Sequence, residues 1–133
     1  MRKRYLRAFS LTELLIALAI VGILVLIALP NLMPLISETK STEAKLQLKH
    51  LYTLEKRYFY INSKYSTDLT ELGFEQSKLV TEGGNANYRI EINEASASTF
   101  KASATSITDF DQDGTINLWE IDQEQNLKEV TKD

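Results

Sequence analysis

The sequence predicts an α+β fold. One long N-terminal helix, an apolar stalk followed by an amphipathic half, packs on a small antiparallel sheet of three or four strands. Three patterns predict it: a basic and then uninterrupted apolar segment at the start, a 3.6-residue apolar period in the middle, and two-residue alternation in the last third. The chain has 133 residues, and about a hundred of them follow the apolar segment, which is enough for one small domain.

The first element is an apolar segment with a basic flank. Residues 14–29 read LLIALAIVGILVLIAL, and four basic residues precede them: Arg2, Lys3, Arg4 and Arg7. Counted from Phe9 to Leu32, the segment has about 24 residues, and at about 1.5 Å per residue a helix of this length crosses a hydrocarbon core of about 30 Å. The basic flank predicts a cytoplasmic N-terminus and a C-terminal domain on the far side of the membrane. A secretory signal fits poorly, because no A-x-A-like site ends the run.

A carboxylate, Glu13, stands at the head of this apolar run, where a plain membrane anchor has no use for it. The residues Ala8-Phe9-Ser10-Leu11-Thr12-Glu13 and the apolar run after them resemble the type III signal of type IV pilins and pseudopilins. The resemblance implies that a prepilin peptidase cuts between Ala8 and Phe9 and that the new Phe9 amine is N-methylated. It also implies that Glu13 neutralises the Phe9 amine of a neighbouring subunit. The family's usual residue before the cut is glycine, whereas this sequence has the small residue alanine.

The pairing of Glu13 with a neighbour's Phe9 amine also has a physical reason. An unpaired carboxylate or ammonium is costly in a low-dielectric core, so each relieves the other across subunits and the pair sets the register of assembly. The resemblance further implies a homopolymer, an assembly platform in the inner membrane, a single-pass precursor in that membrane and an extracellular filament. The predicted divisions are a cleaved leader over 1–8, a membrane and filament-core helix over 9–34, and a remainder over 35–133 that holds the rest of the helix and the sheet.

The helix is predicted to run from about Phe9 to about Ile61. Gly22 and Pro30 are expected to weaken its apolar half, and Pro34 adds a second interruption. The resemblance implies that the stretch between this glycine and this proline unwinds in some assembled filaments; a simple kink is the alternative. Beyond Pro34, one stripe is apolar except at its glutamate and asparagine: Ala44, Leu48, Leu51, Tyr52, Glu55, Tyr58, Phe59 and Asn62.

The pattern of residues in the last third of the sequence predicts the sheet. An irregular connection leads from Tyr65 to Phe74, and Gly83-Gly84 marks a turn. Apolar residues alternate with polar ones over 88–93, which predicts a half-buried strand with an antiparallel partner over 99–108 and a third strand over 116–121. The aromatic residues at 52, 58, 59 and 60 are expected to pack in the core; a binding platform or an electron path is the alternative.

A loop before the third strand matches a calcium-binding pattern. Residues 109–120 follow D-x-[DN]-x-[DN]-G-x₅-E, and the candidate ligands are Asp109, Asp111, Asp113, the Thr115 carbonyl and Glu120. The entering segment is strand-like, so we expect the loop without an EF-hand. If the chain is extended after Thr115, Glu120 lies roughly 16 Å further along and cannot close the site, so the other four are the safer set. The alternative is an Asp-rich turn without metal. Because the chain lacks cysteine, calcium could replace the disulfide that closes this region in some pilins.

Composition excludes several functions. Without the four basic residues of the leader, the net charge changes from −3 to −7, which does not suit nucleic-acid binding. No cysteine or Ser/His/Asp arrangement supports catalysis, and His50 lies in a helical pattern as an expected surface residue, so we do not expect an enzyme. The resemblance to type IV pilins implies a structural subunit of a type IV pilus that serves motility or adhesion. The alternatives are a pseudopilin of a type II secretion system and a membrane-anchored calcium-binding protein.

Overall fold

The computed structural model describes residues 8–133 and divides the chain into two compact units between Met33 and Pro34. Helix α1 spans Leu11–Asn62, within two residues of the predicted bounds at either end. The basic residues of the predicted leader lie outside the described residues. Together with the sheet described below, the helix confirms the predicted α+β fold.

The first unit is helical from Leu11 onward, and none of its described residues is buried. The helix is continuous across Gly22 and Pro30, and the side-chain amide of Asn31 donates to the Ile27 carbonyl at 3.1 Å. An added Cβ at Gly22 would meet nothing within 4 Å. Softening between Gly22 and Pro30 concerns the assembled state, and it stays a prediction.

The second unit contains a four-stranded antiparallel sheet in the order β1 (Tyr88–Ala95), β2 (Phe100–Ser106), β3 (Leu118–Asp122) and β4 (Lys128–Thr131). The three strands predicted from the sequence are present. Strand β3 begins two residues later than predicted and ends one residue later. The fourth strand is the one whose place the sequence did not predict.

One face of α1 packs against this sheet to form the core. The fully buried apolar residues of the helix are Ala44, Leu48 and Leu51, which belong to the predicted stripe. The sheet contributes Tyr88, Ile90, Phe100, Ala102, Ala104 and Ile121. The predicted aromatic packing holds in part: the residues at 52, 58 and 59 pack at the edge of the core, whereas Tyr60 is 82% exposed, because it points away from the sheet side of the helix.

Two polar side chains hold β1 in place. The carboxylate of Glu43 on α1 accepts hydrogen bonds from the backbone amides of Asn87 at 2.9 Å and Tyr88 at 3.3 Å. The side-chain amide of Gln76 donates to the Tyr88 carbonyl at 3.1 Å and accepts from the Ile90 amide at 2.8 Å. Gln76 therefore occupies part of the outer edge of the sheet, where unpaired backbone groups would otherwise be open to another strand.

A buried network around Asn117 joins the helix to the last strand. The Tyr88 hydroxyl donates to Asn117 Oδ1 at 2.7 Å, and the Ser41 hydroxyl donates to the same oxygen at 3.4 Å. Asn117 Nδ2 donates to Glu129 Oε1 at 2.7 Å and to the Thr131 carbonyl at 3.1 Å. Burial raises the pKa of Tyr88 to about 12, so its hydroxyl stays a donor. The network positions the end of the chain against α1.

Candidate functional site

The first candidate site is the start of α1. Residues 8–10 have no regular structure and lead into the helix, and Phe9 is 88% exposed. The Ser10 amide donates to Glu13 Oε2 at 2.8 Å, and the Glu13 amide donates to Ser10 Oγ at 3.2 Å. This reciprocal pair is a capping box, which satisfies amide groups that a helix N-terminus leaves without intrahelical partners.

The capping box was readable in the sequence, because Ser10 and Glu13 have the S-x-x-E spacing before an apolar run. Sequence reasoning assigned Glu13 to a neighbouring subunit and missed this local partner. In the single chain, then, Glu13 has a role in starting the helix. Any test of Glu13 in assembly must separate its charge from its capping function.

The apolar side chains that follow Glu13 are exposed in the part of the chain that the structure describes. Within the described residues, α1 is the one helix long and apolar enough to cross a membrane, and none of its most apolar stretch is buried. The exposed residues include Leu14, Leu15, Ile16, Leu18, Ile20, Val21, Ile23, Leu24, Leu26 and Ile27. An apolar surface of this extent marks a segment that is covered by lipid or by other protein chains.

Comparisons with known proteins agree with this geometry. The family model "Prokaryotic N-terminal methylation motif" matches residues 3–29, which include Phe9, Glu13 and most of the exposed apolar residues. The chain is also similar to the "Type IV major pilin protein PilA" of Myxococcus xanthus (strain DK1622), with 40% identity over 84 residues. In its N-terminal part, the chain is therefore similar to type IV pilins. The alignment covers 63% of this pilin-like chain but spans 36% of the length of that relative.

The second candidate site is the acidic loop between β2 and β3. Asp109 Oδ1 accepts from the Gln112 amide at 2.6 Å, and Asp109 Oδ2 accepts from the Gly114 amide at 2.7 Å. Asp111 Oδ1 accepts from the Asp113 amide at 3.0 Å. These bonds hold the loop in a tight turn, as expected for an Asp- and Gly-rich segment.

The structure brings some of the predicted metal ligands of this pilin-like chain together and leaves others apart. Carboxylate oxygens of Asp109 and Asp111 lie within 4.8 Å of each other and of Asp133, a residue that the loop pattern does not contain. Among the described residues, Asp113 and Glu120 are not members of this group. Asp113 Oδ1 instead accepts from the Thr115 amide at 2.7 Å.

Glu120 lies in β3, where it is paired with Ser103 of β2 and Lys128 of β4. Its carboxylate is 3.9 Å from the Lys128 ammonium. The chain after the loop enters a strand, so Glu120 is carried along the sheet instead of turning back as it would in an EF-hand helix. The structure thus does not bring Glu120 to the Asp109 side of the loop.

Asp133 is the residue of this site that the sequence could not indicate. It lies twenty-four positions after Asp109, and only the return of β4 beside β3 brings it back to the loop. Asp133 Oδ2 accepts from the Phe110 amide at 2.9 Å, which fastens the loop to the end of the chain. Partial desolvation raises the pKa of Asp111; the hydrogen bond from the Asp113 amide opposes this, and the carboxylates of Asp113, Asp133 and Asp109 add to the rise.

Proposed function

We propose that this pilin-like chain is a structural subunit that polymerises into a type IV pilus filament after its leader is removed. The observation that supports the proposal is the exposed apolar helix with a carboxylate at its head, in the segment that matches the methylation motif. An apolar helix can lie in a membrane before assembly and be buried among copies of itself afterwards. Both states remove it from water.

The processing steps belong to the same proposal. A prepilin peptidase cuts between Ala8 and Phe9, and the new Phe9 amine is N-methylated. Residues 8–10 precede the first helical turn and Phe9 is exposed, so the peptide bond is not enclosed by the described part of the chain. Before and after this cut, the chain lies in the inner membrane with residues 34–133 outside the cytoplasm, and an inner-membrane assembly platform takes up the processed subunit.

A pseudopilin of a type II secretion system is the second candidate, because the same N-terminal features serve both filaments. The similarity to a protein named as a type IV major pilin favours the pilus. Mass spectrometry of filaments sheared from the cell surface distinguishes the two. Recovery of this chain beginning at N-methylated Phe9 supports a pilus subunit, whereas its absence from sheared filaments together with a loss of secretion on deletion supports the pseudopilin.

Three variants test the role of Glu13. Glu13→Gln keeps an oxygen that can accept from the Ser10 amide but removes the charge, Glu13→Val removes both, and Ser10→Ala removes the other half of the capping box. We expect both Glu13 variants to insert into the membrane and to lose surface filaments, while Ser10→Ala assembles. The readouts are immunoblots of the membrane fraction and of sheared filaments.

The opposite result would contradict the proposed role of the Glu13 charge. Normal filaments from Glu13→Gln would show that helix capping, not charge pairing with a neighbour's Phe9 amine, is what Glu13 provides. The mass of the membrane-bound protein serves as the control for processing, because uncleaved precursor would also fail to assemble.

A further inference from the structure

Three carboxylates from two distant parts of the chain meet beside the sheet. Asp109 and Asp111 belong to the loop between β2 and β3, and Asp133 follows β4. Each offers an oxygen, and these three oxygens lie within 4.8 Å of one another. Like charges at this separation repel each other, so the arrangement favours a bound cation.

Asp133 is unusual within this group because it is buried. The residue is 9% exposed, and its Oδ1 is a buried atom without a hydrogen-bond partner among the described residues. Its other oxygen, Oδ2, accepts from the Phe110 amide. A buried carboxylate oxygen is normally satisfied, because burial without a partner is costly. The unsatisfied Oδ1 therefore indicates a ligand that the described residues do not supply.

The described basic side chains do not neutralise the three carboxylates. The ion pair found among residues 8–133 joins Lys128 to Glu120, on another part of the sheet. The nearby Lys40 places its ammonium over the Phe110 ring, 4.4 Å from the ring centroid. Lys40 thus packs against the loop without forming an ion pair with these aspartates.

We propose that Asp109, Asp111 and Asp133 bind one calcium ion, and that Asp133 closes the site in place of Glu120. The three side chains offer only oxygen atoms, which hard cations prefer. Asp111 is exposed, so water can fill the remaining positions on that side. Calcium accepts six to eight oxygen ligands in flexible geometry, whereas magnesium requires a near-ideal octahedron.

The bound ion would tie the loop before β3 to the end of β4. The Ser37 hydroxyl of α1 donates to the Asp133 carbonyl, so the same residue also contacts the helix. Calcium would then fasten the last residues of the chain, as a disulfide would in a protein with cysteine. This site does not depend on filament formation, and its test does not need assembly.

The experiment uses the full-length protein in detergent, with calcium chloride as the probe. Isothermal titration measures binding, and the fluorescence of Trp119, the one tryptophan of the sequence, follows thermal unfolding. We expect one site with a dissociation constant on the order of 10⁻⁴ to 10⁻³ M, as in extracellular calcium modules. Magnesium chloride should bind at least about tenfold more weakly, because the site does not impose octahedral geometry.

The variants distinguish the ligands that the structure brings together from the ligands that the loop pattern predicts. Asp133→Asn and Asp111→Asn should weaken calcium binding by about tenfold or more, because each removes a charged ligand. Glu120→Gln is the matched control and should change the affinity by less than about twofold. Asp109 is not a useful test, because both its oxygens hold the turn. In calcium-free buffer, Asp133→Asn should unfold at the same temperature as the unmodified protein or higher, which shows that it folds.

Three outcomes would overturn the proposal. The first is no calcium binding up to about 10 mM, which is beyond the range of known extracellular sites. The second is unchanged affinity in Asp133→Asn with a loss in Glu120→Gln, which would restore the loop pattern. The third is equal affinity for magnesium and calcium, which would contradict the assignment of the ion.

Discussion

Glu55 is a carboxyl group enclosed between α1 and the connection that follows it. It is 0% exposed, its Oε2 accepts from the Ser66 amide at 3.1 Å, and its Oε1 has no hydrogen-bond partner among the described residues. Burial raises the pKa of Glu55 to about 7, although the hydrogen bond from Ser66 lowers it. Glu55 lies beyond the apolar segment, in the half of the helix that packs on the sheet. We therefore predict that stability of residues 34–133 depends on pH through this one group.

The direction of this pH dependence follows from the protonation of Glu55 in the folded and in the unfolded chain. The ordinary pKa is 4.5, and the folded value is about 7. Between these values the native carboxyl keeps a proton that the unfolded chain has released. The free energy of unfolding therefore falls as the pH rises through this window, and it levels off above about pH 7. At about 1.4 kcal/mol for each pH unit, the loss between about pH 5 and about pH 8 is on the order of 2–3 kcal/mol.

The perturbation is Glu55→Gln, which keeps the shape and the oxygen that accepts from Ser66 but carries no charge. Denaturant unfolding of the full-length protein in detergent, followed by Trp119 fluorescence, measures the free energy of unfolding at each pH. The variant should lose most of the pH dependence seen in the unmodified protein. Glu91→Gln, an exposed position on β1, is the control and should retain it. If Glu55→Gln and the unmodified protein respond equally between pH 5 and pH 8, the assignment to Glu55 is wrong.

Two further substitutions test the packing. Gly84→Ala should lower the free energy of unfolding by about 1–3 kcal/mol, because its Cβ would lie 1.9 Å from the Lys78 carbonyl oxygen. Gly22→Ala, whose Cβ meets nothing within 4 Å, is its control; equal effects on unfolding would refute the close contact. Asn117→Ala should cost at least about 2 kcal/mol, because the buried Tyr88 hydroxyl loses its acceptor. The exposed Asn93→Ala is its control, and a loss below about 0.5 kcal/mol for Asn117→Ala would show that water replaces the network.

The sheet shows how far local pattern carries a prediction. Strand β1 was predictable because buried and exposed residues alternate in its first half, so the pattern along the chain reports burial directly. Strand β2 was predictable from the alternate positions of Phe100, Ala102 and Ala104, although the residues between them are buried or half-buried as well. Strand β4 has a weak pattern, with three exposed residues followed by a half-buried one. Its place depends on pairing with β3, so the sequence alone did not predict it. The prediction that Tyr60 packs in the core was wrong for a related reason. An aromatic residue next to a core stripe can lie on either side of that stripe.

The sequence by itself determined the α+β fold class, the length of the helix and the N-terminal pattern Ala8–Glu13 with its apolar run. Each of these depends on spacing between residues close together in the chain. Only the tertiary structure showed that Asp133 and not Glu120 joins the aspartates of the loop, and that Glu55 is buried beside Ser66. Those contacts join residues that are distant along the chain or that meet through an irregular connection. These contacts form only when the strands and the helix pack together. A periodic pattern of residues along the chain does not describe that packing.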